Sequence, residues 1–241
     1  MKLNIFNNDN EVLTALAEHF VNVGNEAIAS KGKFSVALSG GSSPKKLYEL
    51  LASSYADKLD WGKVYFFFGD ERNVPQTHPD SNYLMAKKAL FEPLEISTLN
   101  IFPVDTSLEP KEAAQKYEEE IEEFFDEVEL SFDLVLLGLG DNSHTASLFP
   151  FTPVLHDRTP GVKEVFLQDQ QVFRITMNAP LINEAQHIAF LVYGAGKAIA
   201  VHHVLEDDED IEEYPAQLIE PIVGEIEWFL DTAAAANLKE E

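Results

Sequence analysis

Short apolar runs alternate along this chain with longer segments whose apolar residues recur every three or four positions. The runs lack polar alternation, which is typical of strands buried on both faces of a parallel sheet. We predict strands at residues 34–38, 64–68, 132–137, 173–177, 188–193 and 227–230. The periodic segments predict helices at 11–30, 81–90, 110–125 and 196–205, another from Pro44 through Leu51, and a terminal one at the alanines 233–236.

This alternation of strand and helix predicts repeated βαβ units. The fold class is therefore α/β, with a doubly wound, mainly parallel sheet flanked by helices. The pattern contains no repeat or linker, so we expect a single domain over residues 1–241. Asp9 or Asn10 is expected to cap the first helix, and Asp80 or Ser81 the helix that starts near residue 81.

Composition restricts the chemistry. There are no cysteines, which excludes disulfides, thiolate nucleophiles and cysteine-bound metals and fits a reducing compartment. The 42 acidic and 17 basic residues give a formal charge of -25, which argues against nucleic acid as a partner. No apolar run is long enough to span a membrane, and the first residues lack a leader pattern. We expect a cytoplasmic protein with no membrane, nucleic-acid or required protein partner and no metal, since no ligand motif is present.

Two loops have the composition of anion sites. The first, after the strand at 34–38, contains Gly40, Gly41 and Ser42 and leads into a helix, so backbone N–H groups and the helix dipole face one point. The second, at 193–197, repeats the arrangement and places Lys197 at a helix N-terminus, where a cation is unfavourable unless an anion compensates. For the first loop, a tight turn with serine caps is the alternative interpretation.

Charged and catalytic candidates follow other strands. Residues 69–82 open as a loop that contains Asp70, suited to orient a hydroxyl or a base, and Arg72, suited to hold an anionic oxygen. Arg174 is another of only three arginines in this acidic chain. His144 follows the glycines after the strand at 132–137 and reaches a crevice mouth with Thr145 and Ser147. On its own, such a histidine is more often a structural group than a base.

Five segments resemble 6-phosphogluconolactonases in this order: SGGSSPKKLY, FFGDERNVPQTHPDSNY, LGLGDNSHTASLFP, FRITMNAPLINEAQHIAFLVYGAGKA, and YPAQLIEP with WFLD. The resemblance implies a modified Rossmann-type sheet, no cofactor, and hydrolysis of 6-phospho-D-glucono-1,5-lactone to 6-phosphogluconate in the oxidative pentose phosphate pathway. It implies His144 as general base and Asp70 and Arg72 over the sugar. The phosphate-side positions that it implies are Gly40, Gly41, Ser42, Arg174 and Lys197. It leaves open which of Arg72 and Arg174 faces the phosphate and which faces the carbonyl.

One position departs from the family pattern. Where the family commonly has Pro-Asp-Gly-His, this chain has Asp141-Asn142-Ser143-His144. An amide can orient an imidazole but cannot stabilise an imidazolium by charge, and Asp141 is a candidate to compensate. Two alternatives therefore stand beside the lactonase: a glucosamine-6-phosphate deaminase or isomerase, and a weakly active sugar-phosphate-binding protein. The deaminases that this chain resembles carry an acidic residue in the segment after the histidine. The deaminase is disfavoured because residues 145–150 contain no carboxylate.

Overall fold

The computed structural model describes residues 1–125 and 130–239. Its strands are β1 (Lys2–Phe6), β2 (Phe34–Leu38), β3 (Val64–Phe68), β4 (Asp70–Arg72), β5 (Leu134–Leu137), β6 (Val162–Leu167), β7 (Val172–Met177), β8 (His187–Val192) and β9 (Glu225–Asp231). Its α-helices are α1 (Asp9–Lys31), α2 (Ser42–Ser54), α3 (Asn82–Ala86), α4 (Pro110–Phe125), α5 (Ala179–Asn183) and α6 (Ala198–Glu206).

Six strands form one parallel sheet in the order β1-β9-β8-β5-β2-β3. Side chains alternate between the two faces along each strand, so the sheet has a core on each side. Helices cover both of these faces. In β5, for example, Leu134 and Leu136 pack with α1 and α2, whereas Val135 and Leu137 pack with α4 and α5. The predicted doubly wound α/β class is confirmed.

The chain order changes direction next to β2. After β2 the chain adds β3 at the sheet edge and then returns to place β5 on the other side of β2. The carboxyl ends of β2 and β5 therefore diverge into loops on opposite faces, which opens a crevice of the kind that binds ligands in open α/β sheets. The loop with Gly40 and the loop with His144 leave the sheet at this crevice.

A second, antiparallel sheet in the order β4-β7-β6 lies beside the crevice. It corrects one expectation, because Asp70 and Arg72 belong to strand β4 and not to an irregular loop. Strand β4 pairs with β7, and the backbone of Met177 donates to the carbonyl of Gly69 at 2.8 Å. The sheet thus holds the charged residues in fixed register above the parallel strands.

Other boundaries also differ from expectation. Asn8, and not Asp9 or Asn10, caps α1, since its side chain accepts from the backbone of Glu11. Ser81 caps α3 as predicted, but the helix then widens into a π-type turn at residues 87–91. The alanines at 233–236 form turns and no helix. Strands β1, β4 and β6 and helix α5 were not predicted.

Candidate active site

A cavity of about 400 Å³ occupies the crevice. It is lined by residues from the ends of β2, β5 and β8 and from the antiparallel sheet. All eight residues that the sequence and the resemblance selected line this cavity: Gly40, Gly41, Ser42, Asp70, Arg72, His144, Arg174 and Lys197. Residues up to 157 positions apart in the chain, from Gly40 to Lys197, therefore meet at one place.

The helices that begin at the cavity differ from others in how they are capped. Side chains of Asn8, Ser81 and Asn178 cap the N-termini of α1, α3 and α5. Among the residues that the structure describes, no side chain caps α2, which begins after Gly41, or α6, which begins after Lys197. Unpaired N–H groups in the first turn of a helix carry partial positive charge and readily bind anions. The α2 end in particular presents such groups to the cavity.

The backbone before α2 is shaped for this role. Gly41 has φ 108° and ψ 177°, a conformation that side-chain-bearing residues rarely adopt. Tyr48, buried in α2, donates its hydroxyl proton to the carbonyl of Ser39 at 2.8 Å and accepts from the Ser39 N–H at 3.0 Å. This double contact ties the start of the loop to the helix that the loop enters.

Three cations surround the cavity, and two of them face each other. Arg72 on β4 is paired directly with Arg174 on β7, an arrangement of like charges that destabilises an antiparallel sheet. Arg72 donates to the carbonyl of Asp80 at 2.7 Å, and Arg174 donates to Gln170 Oε1 at 3.2 Å. Burial, and next the charge of Arg72, lowers the pKa of Arg174.

Both guanidinium groups retain unused donors. The buried Nε atoms of Arg72 and Arg174 have no hydrogen-bond partner among the residues that the structure describes. Among the same described residues, no carboxylate lies within salt-bridge distance of either arginine, although the protein is strongly acidic. An anionic oxygen in the cavity would pair with the guanidinium groups and relieve the repulsion between the two charges.

Asp70 is fixed by a network of buried polar groups. Its Oδ2 accepts a hydrogen bond from the hydroxyl of Ser147 at 2.7 Å, and Asn82 Nδ2 donates to its carbonyl at 2.9 Å. The neighbouring Glu71 accepts from the backbone N–H groups of Asn82 and Tyr83 at 2.7 and 2.8 Å. Burial raises the pKa of Glu71. The network joins strand β4, the start of α3 and the segment after His144.

His144 is oriented from two sides. Its ring stacks on Phe149, with centroids 4.0 Å apart and planes 18° from parallel, and its Nδ1 lies 2.5 Å from Asn142 Oδ1. An amide oxygen only accepts hydrogen bonds, so this contact assigns the ring proton to Nδ1 and leaves the lone pair on Nε2. Asn142 therefore performs the orienting part of the function that was expected of a family aspartate.

The electrostatic surroundings favour the neutral imidazole. The pKa of His144 is lowered to about 4, chiefly by burial; Asp70 and Asp141 act to raise this pKa, and the positive charges of Lys197 and Arg174 act to lower it. The ring is accordingly neutral near pH 7 and able to accept a proton.

Asp141 does not replace the missing carboxylate beside the imidazole. Its Oδ1 lies 2.5 Å from Nζ of Lys197, across the mouth of the cavity. The carboxylate and amide of this turn thus have separate contacts: Asp141 pairs with a cation, and Asn142 orients His144.

Several cavity contacts were not predicted from the sequence. Gln170, Phe149 and Tyr48 were not predicted, because their roles depend on contacts with Arg174, His144 and Ser39 that only the folded backbone defines. Asn82 lies within a segment that resembles the family, and Ser147 lies close to His144 in sequence. The contacts of both residues with Asp70 depend on the fold.

Within residues 1–125 and 130–239, no group of three or more His, Asp or Glu side chains is arranged to hold a metal ion. Over the same residues, no helix combines the length and hydropathy needed to cross a membrane.

The fold and the site define an enzyme of the open α/β class whose cavity has the chemistry to hold a phosphorylated small molecule beside a neutral histidine. Residues 7–228 match a sequence family described as glucosamine-6-phosphate isomerases/6-phosphogluconolactonase. The chain belongs to this family, which confirms the resemblance.

Individual relatives agree with this assignment. A 6-phosphogluconolactonase of Synechocystis sp. is 45% identical over 220 residues, which cover 89% of this chain and 88% of the relative. The solved structure of a 6-phosphogluconolactonase from Trypanosoma cruzi is 27% identical, with a TM-score of 0.86 and coverage of 99% and 97%. A monomeric glucosamine-6-phosphate deaminase, 20% identical with a TM-score of 0.83 and coverage of 98% and 100%, shares the fold.

Proposed function

We propose that this protein hydrolyses 6-phospho-D-glucono-1,5-lactone to 6-phosphogluconate, as a cytoplasmic enzyme of the oxidative pentose phosphate pathway. The observation that carries the proposal is the convergence of one neutral histidine and three cations in a single cavity of about 400 Å³. Relatives at 45% and 44% identity that are named 6-phosphogluconolactonases support this activity over the deaminase alternative. We also propose that residues 1–241 form one α/β domain.

The phosphate belongs at the cationic side of the cavity in this proposal. Gly40, Gly41 and Ser42 offer backbone N–H groups at the uncapped start of α2, and Lys197 and Arg174 add positive charge. A phosphate monoester carries about -1.5 to -2 charges at pH 7, so it neutralises groups that otherwise repel one another. The lactone ring then extends toward Asp70 and Arg72.

His144 is the proposed general base. Nε2 takes a proton from water as the water oxygen attacks the lactone carbonyl, and Arg72 stabilises the oxyanion that forms. Collapse of this intermediate breaks the bond between the carbonyl carbon and the ring oxygen. The imidazolium returns its proton to the ring oxygen, and the new carboxylic acid ionises to release one proton. Asp70 orients a sugar hydroxyl and keeps the imidazolium close to a negative charge.

The activity test uses two substrates. Freshly generated lactone should release acid faster than it does in buffer alone, and glucosamine 6-phosphate should release no ammonia. Ammonia release would contradict the proposal in favour of the deaminase. Binding of 6-phosphogluconate without acceleration of lactone hydrolysis would contradict it in favour of a sugar-phosphate-binding protein.

The role of His144 is tested by His144→Ala. We expect this variant to keep its affinity for 6-phosphogluconate and to lose about 10²- to 10⁴-fold in kcat, the usual contribution of a general base. His156→Ala is the matched control, because His156 is exposed and pairs with Glu212 away from the cavity lining. Turnover that survives His144→Ala at the level of the control would remove His144 as the base.

A further inference from the structure

Lys197 differs from the other two cations of the cavity because it already has a negatively charged partner. The carboxylate of Asp141 lies 2.5 Å from its Nζ, whereas Arg72 and Arg174 contact only a carbonyl and a side-chain amide among the described residues. Lys197 is half-buried and lines the cavity, but the Asp141 side chain is 81% exposed. The ion pair therefore joins a fixed cation of the site to a carboxylate on its rim.

The position of Lys197 explains why it needs an anion. It directly precedes α6, and the positive end of a helix dipole disfavours a cation there. Gly194, with φ 95°, turns the chain before this point, and its N–H is held by Asp231 at 2.9 Å. The backbone around Lys197 is thus anchored beside the cavity that the side chain lines.

Asp141 is held much less firmly than Lys197. Within the described part of the chain, its carboxylate has no hydrogen-bond or ion-pair partner apart from Lys197. It lies on the turn between Gly140 and His144, where Ser143 adopts φ 60°. An exposed ion pair of this kind contributes little stability, because water and salt screen it. A stronger anion can therefore replace this carboxylate at small cost.

We propose that Asp141 is a specificity-determining residue that occupies Lys197 in the free protein and is displaced by the phosphate of the ligand. A carboxylate carries one negative charge, whereas a phosphate monoester carries nearly two at pH 7. A phosphate therefore binds Lys197 more strongly than the Asp141 carboxylate does, but a singly charged group does not. An unphosphorylated sugar leaves the ion pair between Asp141 and Lys197 intact. The inference rests on the proposed function in taking a sugar phosphate as the natural ligand.

This competition sets affinity as well as selectivity. Each phosphate that binds must first break the contact between Asp141 and Lys197, so the measured affinity is lower than the cations alone would give. Asp141 can pair with Lys197 again as the product leaves, which limits product binding.

The test measures binding of inorganic phosphate and of 6-phosphogluconate by calorimetry at one pH. Asp141→Asn removes the competing charge, so the affinity for both should rise about two- to fivefold, the range expected for loss of an exposed pair. Asp169→Asn is the matched control, because Asp169, like Asp141, is exposed near the site and lies outside the cavity lining, but makes no contact with Lys197. It should change both affinities by less than half as much.

A second pair of variants separates competition from a general charge effect. When Lys197→Ala is also present, Asp141→Asn should raise the affinity no more than Asp169→Asn does. Equal gains for Asp141→Asn with and without Lys197 would overturn the inference. A loss of affinity in Asp141→Asn alone would also overturn it, since Asp141 would then hold Lys197 in place for the ligand.

Lactone turnover by the unmodified protein distinguishes the two proposals. Absence of turnover, together with tighter phosphate binding by Asp141→Asn, would contradict the lactonase but support competition at Lys197. Normal turnover with unchanged phosphate affinity in Asp141→Asn would contradict the competition and leave the lactonase supported.

Discussion

The amide of Asn142 determines how strong a base His144 can be. Asn142 Oδ1 orients the ring through Nδ1 at 2.5 Å, as a carboxylate would, but adds no negative charge. Burial then lowers the pKa of the imidazole to about 4. A base with this pKa is fully available at neutral pH but has a weaker tendency to take a proton than one with a pKa near 7. Orientation and basicity are thus separate properties at this position.

Replacing Asn142 with aspartate should restore the charge without changing the geometry. A carboxylate at this position favours the imidazolium, so Asn142→Asp should raise the pKa of His144. The active form is the neutral ring, and wild-type kcat/KM should therefore fall as the pH drops through about 4. In the variant this acid limb should move to higher pH, and the rate at neutral pH should increase. A pH profile of kcat/KM measures both changes.

Asn142→Leu is the control for this experiment. It removes the hydrogen bond without adding charge, so it should lower kcat and leave the acid limb near its wild-type position or below it. An acid limb in Asn142→Asp that coincides with the wild type would show that His144 is not the group that titrates.

At the scale of elements, the turn after β5 is shaped around the histidine ring. A Cβ on Gly140 would lie 2.1 Å from His144 Nδ1, far inside contact distance, whereas a Cβ on Gly138 would find its nearest neighbour, Ser39 Oγ, at 3.9 Å. The backbone N–H of Gly140 also bonds to the carbonyl of His144 at 2.8 Å. The glycine at 140 therefore makes room for the ring and closes the turn.

Gly140→Ala should displace the ring of His144 and reduce kcat about 10²-fold, the usual cost of an error of about 1 Å in a reacting group. Gly138→Ala, which adds the same methyl group where ordinary contact distance exists, should retain most of the activity. Lactone hydrolysis and thermal unfolding of both variants provide the measurement. Equal turnover in the two variants would show that the ring has room to move without loss of function.

The elements that the sequence predicted best are those buried on both faces. Strands β2 and β3 begin and end where their apolar runs do, because every apolar residue of these runs enters one of the two cores or packs against one. Strand β4 was missed because its residues are charged and it pairs with a strand about 100 positions later. Strand β1 was missed because it is short and mostly exposed at the sheet edge.

The site was predictable to the extent that it follows strand ends. Glycine-rich and charged segments after buried strands indicated the cavity, since the carboxyl ends of parallel strands share one edge of the sheet. Contacts between segments could not be read in the same way. The pairing of Arg72 with Arg174 depends on the register of β4 and β7, and the division of tasks between Asp141 and Asn142 depends on the direction of each side chain in one turn.

At the scale of the whole molecule, a cationic cavity exists within a protein of formal charge -25. The screening length is about 8 Å at physiological ionic strength, so the nearby arginines and lysine dominate the potential inside the cavity. At an ionic strength of about 0.01 M the screening length is about 30 Å, and the acidic groups then repel one another across the molecule. Salt therefore acts on this protein mainly by weakening its self-repulsion.

We expect the melting temperature to rise when NaCl is increased from about 0.01 M to about 0.15 M. Screening also weakens the exposed ion pairs, but each of these contributes only about 0–1 kcal/mol, whereas the repulsion involves the whole excess of acidic groups. A net gain of about 1 kcal/mol corresponds to about 2–4 °C for a chain of this size.

Chloride bound in the cavity could produce a similar shift, so the double variant Arg174→Ala with Lys197→Ala is the control. The same rise in this variant supports relief of self-repulsion, because the variant lacks two of the three cavity cations. A rise confined to the unmodified protein would identify anion binding as the cause, and a fall in both would show that the ion pairs outweigh the repulsion.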